Sequence, residues 1–159
     1  MSNIYIGVVT TTHGIKGELK IKSNFQYKEK IIKKGNTLII DNEKYLIKTH
    51  RIHKNIDMVT LNNFTNINEV LYLLKKKVYF NEDDLILKDN EILDKDLINF
   101  TVKSTDNQIG KIIEIFNASK DNKIMRIMFE KEVLIPFNSP MLKNINKEKK
   151  EVIVELLNW

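Results

Sequence analysis

Short runs of β-branched and aromatic residues, separated by clusters of asparagine, aspartate and lysine, recur roughly every ten residues along this chain. That rhythm constrains the fold more than any other feature. Segments 4–12, 18–23, 37–40, 45–52, 58–61 and 77–80 read as strands, with Asp41-Asn42 and Asn62-Asn63 as turns. Six such strands suit a small closed barrel. Segments 101–104, 109–116, 123–129, 132–135 and 152–156 repeat the pattern and predict a second, smaller barrel. The stretch from Glu82 to Lys95 is acidic, with isolated leucine and isoleucine, and reads as a linker. The expected organisation is therefore all-β: a barrel over residues 1–82, a linker over 83–95, and a second barrel over 96–159.

The spacing predicts one helix in the first half, over 67–74. Asn66 can cap it, Glu69 stands at the capping-box position, and Ile67, Val70, Leu71 and Leu74 form an i, i+3, i+4, i+7 stripe. Such a stripe suits a lid packed on the barrel. Residues 141–151, MLKNINKEKKE, predict a single helical turn followed by a solvated lysine-rich loop.

Composition then narrows the function. A hydrophobic fraction of 42% spread over 159 residues can fill one or two modest cores. No cysteine is present, which removes disulfides, thiolate metal sites and cysteine nucleophiles and fits a reducing, cytoplasmic setting. The first residues lack a signal-peptide pattern, and no apolar run reaches the ~18 residues needed to cross a bilayer, so no membrane association is expected. A net charge of +5 favours a polyanionic partner. An excess of lysine and asparagine from biased codon usage explains the same number equally well.

Catalytic signatures are missing from the sequence. The three histidines are His13 in a glycine loop and His50 and His53 on one strand, where a spacing of three points them to opposite faces. No metal, cofactor or catalytic residue is expected. The serines sit in no glycine elbow, and Asp83-Asp84 and Asp94-Asp96 read as solvated charge. Two basic clusters remain. In the loop after the first strand, Gly14 and Gly17 bracket a tight connection that offers His13, Lys16 and backbone amides to a phosphate. The second cluster is His50-Arg51-Ile52-His53-Lys54-Asn55, basic at a strand end and the turn beyond it, with Arg51, His53 and Lys54 as the binding candidates. An ordinary connection with two positive-φ positions explains the first as well, and a solvent-facing strand end the second.

Taken together, these clusters resemble the ribosome maturation factor RimM family. Gly7 in the first strand, followed by His13-Gly14-Ile15-Lys16-Gly17-Glu18, resembles that family's opening strand and His-Gly-x-x-Gly-Glu loop. Arg51-Ile52-His53-Lys54 with Met58-Val59-Thr60-Leu61 is similar to its Arg-x-His-Lys element and following strand. Asp96-Leu97-Ile98, residues 109–115 and Leu134-Ile135-Pro136-Phe137 resemble segments of a PRC-barrel domain. The resemblance implies a non-catalytic protein that binds the small ribosomal subunit through a head-region ribosomal protein (small-subunit protein nineteen), with ribosomal RNA as a further candidate partner; a monomer is expected, although the sequence itself does not mark the oligomeric state. The family commonly carries a tyrosine pair tied to ribosome binding where this chain has Ile92 and Leu93. The docking candidates it implies are Ile92, Leu93, Pro136 and Phe137. With the first two in a linker, changing both to aspartate is expected to leave the fold intact. Two other classes stay open: a stand-alone basic RNA-binding β-barrel, for which Tyr5, Phe25, Tyr27 and Tyr45 make no compact pattern in sequence, and a flavin-binding split barrel.

Overall fold

The computed structural model describes residues 2–156, which divide into two compact units between Ile86 and Leu87. In the first, β1 (Asn3–His13), β2 (Glu18–Lys22), β3 (Thr37–Ile40), β4 (Glu43–His53), β5 (Ile56–Leu61) and β6 (Lys77–Asn81) close a barrel in the order β1-β2-β5-β4-β3-β6. Closure depends on β1. Its first half pairs with β6 and its second half with β2, and bulges between Tyr5 and Gly7 and between Val9 and Thr11 bend it from one neighbour to the other. Ile6, Val9, Leu19, Ile21, Leu38, Ile47, Val59 and Leu61 are all at most 2% exposed and fill the interior. Each such side chain contributes about 2 kcal/mol of burial.

The expected helix over 67–74 is instead two successive 3-10 turns, Ile67–Glu69 and Leu71–Leu73. Asn66 caps the first by accepting from the Asn68 amide. The segment lies below the length at which an isolated α-helix propagates. In the tighter turn, residues three apart eclipse one another, which places Val70 and Leu73, both fully buried, on one face. A hydrogen bond of 3.0 Å between the Tyr45 and Tyr72 hydroxyls pins this lid to β4. A four-residue helix, α1 (Lys28–Ile31), also packs on the barrel and buries Ile31, with Ile32 beneath it.

The second unit holds α2 (Asp94–Leu97) and a six-stranded sheet: β7 (Thr101–Ser104), β8 (Ile109–Ser119), β9 (Asn122–Met128), β10 (Glu132–Pro136), β11 (Leu142–Asn146) and β12 (Glu151–Val154). Its order is β10-β9-β8-β7-β12-β11, and β12 runs parallel to β7. Val102, Met125, Ile127, Ile135, Val152 and Val154 form its core. Strand β11 lies where a helical turn is expected from sequence. A bulge between Leu142 and Asn144 gives its two core-packed residues, Leu142 and Ile145, a helix-like spacing of three. Lys143, Asn144 and Asn146 give this edge strand the polar character typical of sheet edges.

The acidic stretch is not a bare spacer. Glu82–Asp84 form a 3-10 turn capped by Asn81, and Leu85 packs on the first core. Ile92 packs on the second core, and Leu93, at the N-cap of α2, is only 5% exposed. Leu93 is therefore a buried residue, and the expectation that it tolerates aspartate is overturned.

Candidate functional site

The loop between β1 and β2 needs both of its glycines. Gly14 and Gly17 have φ of 69° and 88°, in the left-handed region, and a Cβ at Gly17 would lie 3.3 Å from the Asn66 carbonyl oxygen. The loop is tied down where the Ile67 amide donates to the Ile15 carbonyl at 2.9 Å. The hairpin between β4 and β5 turns on Lys54 and Asn55, with φ of 51° and 65°. Two consecutive left-handed residues make the tight turn whose twist matches the flanking strands. Lys16 and Lys54 are exposed at the two tips.

Folding brings the two sequence clusters together. The His13 and His53 rings lie 5.7 Å apart between centroids, tilted by 54°. Arg51 pairs with Met58 across β4 and β5, and Met58 with Lys20 across β5 and β2. The Arg51 side chain reaches over β5 to Glu18, donating from Nε at 2.8 Å and from Nη2 at 2.7 Å. These bonds hold the Glu18 carboxyl below the ordinary carboxylate range; burial opposes them, and the charges of Arg51, His13 and His53 add to the lowering. Arg51 is thus matched within the protein, and the exposed lysines carry this end's outward positive charge.

A pH dependence follows. A carboxylate whose folded pKa is depressed contributes stability above its unfolded value of 4.5, and that contribution is lost as pH falls through the lower folded value. Arg51→Gln should lower the urea midpoint at pH 7, and the gap from the parent should close in the acid range where Glu18 protonates. A gap unchanged across that range would contradict the fork's role.

His50, in the second sequence cluster but not among its binding candidates, has a distinct place. Its Nε2 lies 2.8 Å from Asp57 Oδ1, while Lys28 Nζ donates to Asp57 Oδ2 at 2.9 Å. Asp57 is 3% exposed. Both carboxylate oxygens are engaged, so this group ties α1 to the β4-β5 hairpin. The sequence signal was an aspartate inside the apolar run IDMVTL.

In the second unit, Lys123 joins two of the expected docking segments. Its Nζ donates to Asp94 Oδ1, beside Ile92 and Leu93, and stands 4.9 Å from the centroid of the Phe137 ring. Ile92 and Phe137 are half-buried and Leu93 is buried. Pro136 ends β10 and lines a cleft of about 660 Å³ with Phe129, Leu134 and Met141.

Among the described residues, no group of three or more histidines, cysteines or carboxylates is placed to hold a metal ion. Among the same residues, no helix is long and apolar enough to cross a membrane.

Residues 4–85 match the family model for the RimM N-terminal domain, and residues 89–158 match that for the PRC-barrel domain. Curated relatives from Staphylococcus aureus strains JH9 and Newman, both named ribosome maturation factor RimM, are 33% identical over 158 residues, covering 95% of this chain and 94% of theirs. A Pseudomonas aeruginosa crystal structure described as a putative 16S ribosomal RNA processing protein RimM is 18% identical, with 98% of each chain covered and a TM-score of 0.47. The solution structure of the RimM N-terminal domain from Thermus thermophilus is 17% identical, covers 55% of this chain and 98% of that one, and has a TM-score of 0.48. On the two family models and the curated relatives, this chain belongs to the RimM family.

Proposed function

We propose that this protein is a ribosome maturation factor that binds the small ribosomal subunit and a head-region ribosomal protein, small-subunit protein nineteen. There it assists late assembly of the subunit head and processing of ribosomal RNA. The observation that carries the reading is the match to curated maturation factors across 95% of the chain, spanning both domains. The protein acts by binding, as a cytoplasmic monomer: an assembly factor shifts a folding equilibrium by its greater affinity for one arrangement of its partner. Ile92, Pro136 and Phe137 are the docking residues for the ribosomal protein, and the buried Leu93 supports them. His13, Lys16, His53 and Lys54, set by Gly14, Gly17 and the Arg51-Glu18 fork, face the subunit at the other site.

Cells deprived of the protein should accumulate free subunits at the expense of assembled ribosomes. Their small-subunit RNA should retain precursor ends, and the intact chain should restore both. A normal subunit profile with fully processed RNA would contradict the reading.

A further inference from the structure

Of the aromatics that make no pattern along the sequence, Tyr5 and Phe25 line one cavity on the barrel, and Tyr79 stands beside Tyr5. On adjacent strands, Tyr5 stands opposite Tyr79, and Val8 stands opposite Lys77 on one side and Lys22 on the other. Tyr5 is 54% exposed and meets Tyr79 edge to face, 5.8 Å between centroids. Lys22 and Lys77 are both exposed. A row of aromatic rings thus runs beside a row of cations, two residues apart on β6, or roughly 7 Å.

Two cavities open along these rows. One, of about 480 Å³, is lined by Tyr5, Gly7, Lys22, Asn24 and Phe25. A Cβ at Gly7 would stand 2.4 Å from the Lys22 carbonyl oxygen, so glycine lets β1 and β2 approach closely at the cavity's floor. The other, of about 500 Å³, is lined by Asn42, Lys75, Lys76, Lys77 and Tyr79. Lys76 is only loosely engaged there, 3.6 Å from an exposed Asp41. The charge surplus of the chain is confined to this unit: basic residues outnumber acidic ones 14 to 9 over residues 1–86, and 12 balance 12 over 87–159.

We propose that this outer face binds single-stranded nucleic acid, one base stacking on Tyr5 in the cavity above Gly7 and neighbouring phosphates lying on Lys22 and Lys77. Single strands suit the arrangement because every unpaired base offers a ring face, whereas bases in a duplex are already stacked on one another. The site is a property of the first barrel. It goes beyond the subunit-binding reading and does not rest on it.

The test is fluorescence anisotropy of the full chain with a labelled single-stranded RNA of about twelve nucleotides, the same sequence as DNA, and the RNA duplex. The single strands should bind at least about tenfold more tightly than the duplex. Tyr5→Ala should weaken single-strand binding by about tenfold while Tyr5→Phe retains it. Because Tyr5 is more than half exposed, thermal melts should show both variants folded. Lys22→Gln and Lys77→Gln should each flatten the dependence of log Kd on log salt by about 0.7. RNA and DNA binding alike points to stacking and phosphate contacts, and an RNA preference adds the 2′-hydroxyl; either supports the site. The proposal is overturned if Tyr5→Ala binds like the parent, if the duplex competes equally, or if the loss appears only in the Lys16→Gln, Lys54→Gln double variant. A photo-crosslinker at position 5 that captures a ribosomal protein from small subunits, and no RNA, would also overturn it.

Discussion

Leu93→Asp is expected to destabilise the protein by about 4 kcal/mol. Two opposing effects decide the size. Leu93 occupies the N-cap of α2, where aspartate is a favoured residue and contributes about 1 kcal/mol. Against this, the leucine is 5% exposed, so its replacement forfeits about 2 kcal/mol of burial and leaves a carboxylate to be desolvated at a cost of several more. The cap cannot offset these. Urea denaturation should show a large fall in midpoint, with Leu93→Met nearly neutral as the volume-matched control. A Leu93→Asp protein as stable as the parent would mean that the side chain turns outward to solvent.

Asp57→Ala should cost about 3 kcal/mol, because it strips one carboxylate from two partners at once. Lys28 and His50 both rely on it, and Asp57 is 3% exposed. For a unit of this size that corresponds to a fall of more than about 10 °C in the melting temperature of the first barrel, measured by calorimetry. Lys28→Met should cost less, because Asp57 keeps His50 and the lysine is itself one-third exposed. Equal losses in the two variants would show that the carboxylate holds nothing beyond α1.

How much of this was legible in the sequence depends on how local each feature is. The six barrel strands follow an alternating pattern set by neighbours in the chain, so 18–23 and 37–40 could be read almost to the residue as β2 and β3. Strand β11 could not, because its bulge lends two apolar residues a helical spacing. The stripe from Ile67 to Leu74 fits a helix and two 3-10 turns alike; chain length and the bond from Ile67 to the glycine loop, a tertiary contact, decide between them. Burial of Leu93 escapes detection for a similar reason, since a leucine among EDD, KDN and DKD has no local periodicity to mark its face.

The candidate site divides along the same line. Gly14, Gly17 and the Arg51 to Lys54 cluster stand out as short motifs. What they do to one another does not: Arg51 and Glu18 lie on β4 and β2, with β5 between them, and only the strand order β2-β5-β4 puts the guanidinium over the carboxylate. The pairing of β1 with both β2 and β6 likewise brings Tyr5, Phe25 and Tyr79 beside Lys22 and Lys77. Residues far apart in the chain become a surface only through strand order, and strand order is a property of the whole barrel.

The most direct test of the central claim is co-sedimentation of the purified protein with free small ribosomal subunits, with assembled ribosomes and with naked ribosomal RNA, across a salt series. A maturation factor should pellet with free or immature small subunits, remain bound at moderate salt, and leave assembled ribosomes largely untouched. Equal, salt-labile binding to all three would contradict the account and reduce the protein to a basic surface that follows phosphate wherever it finds it.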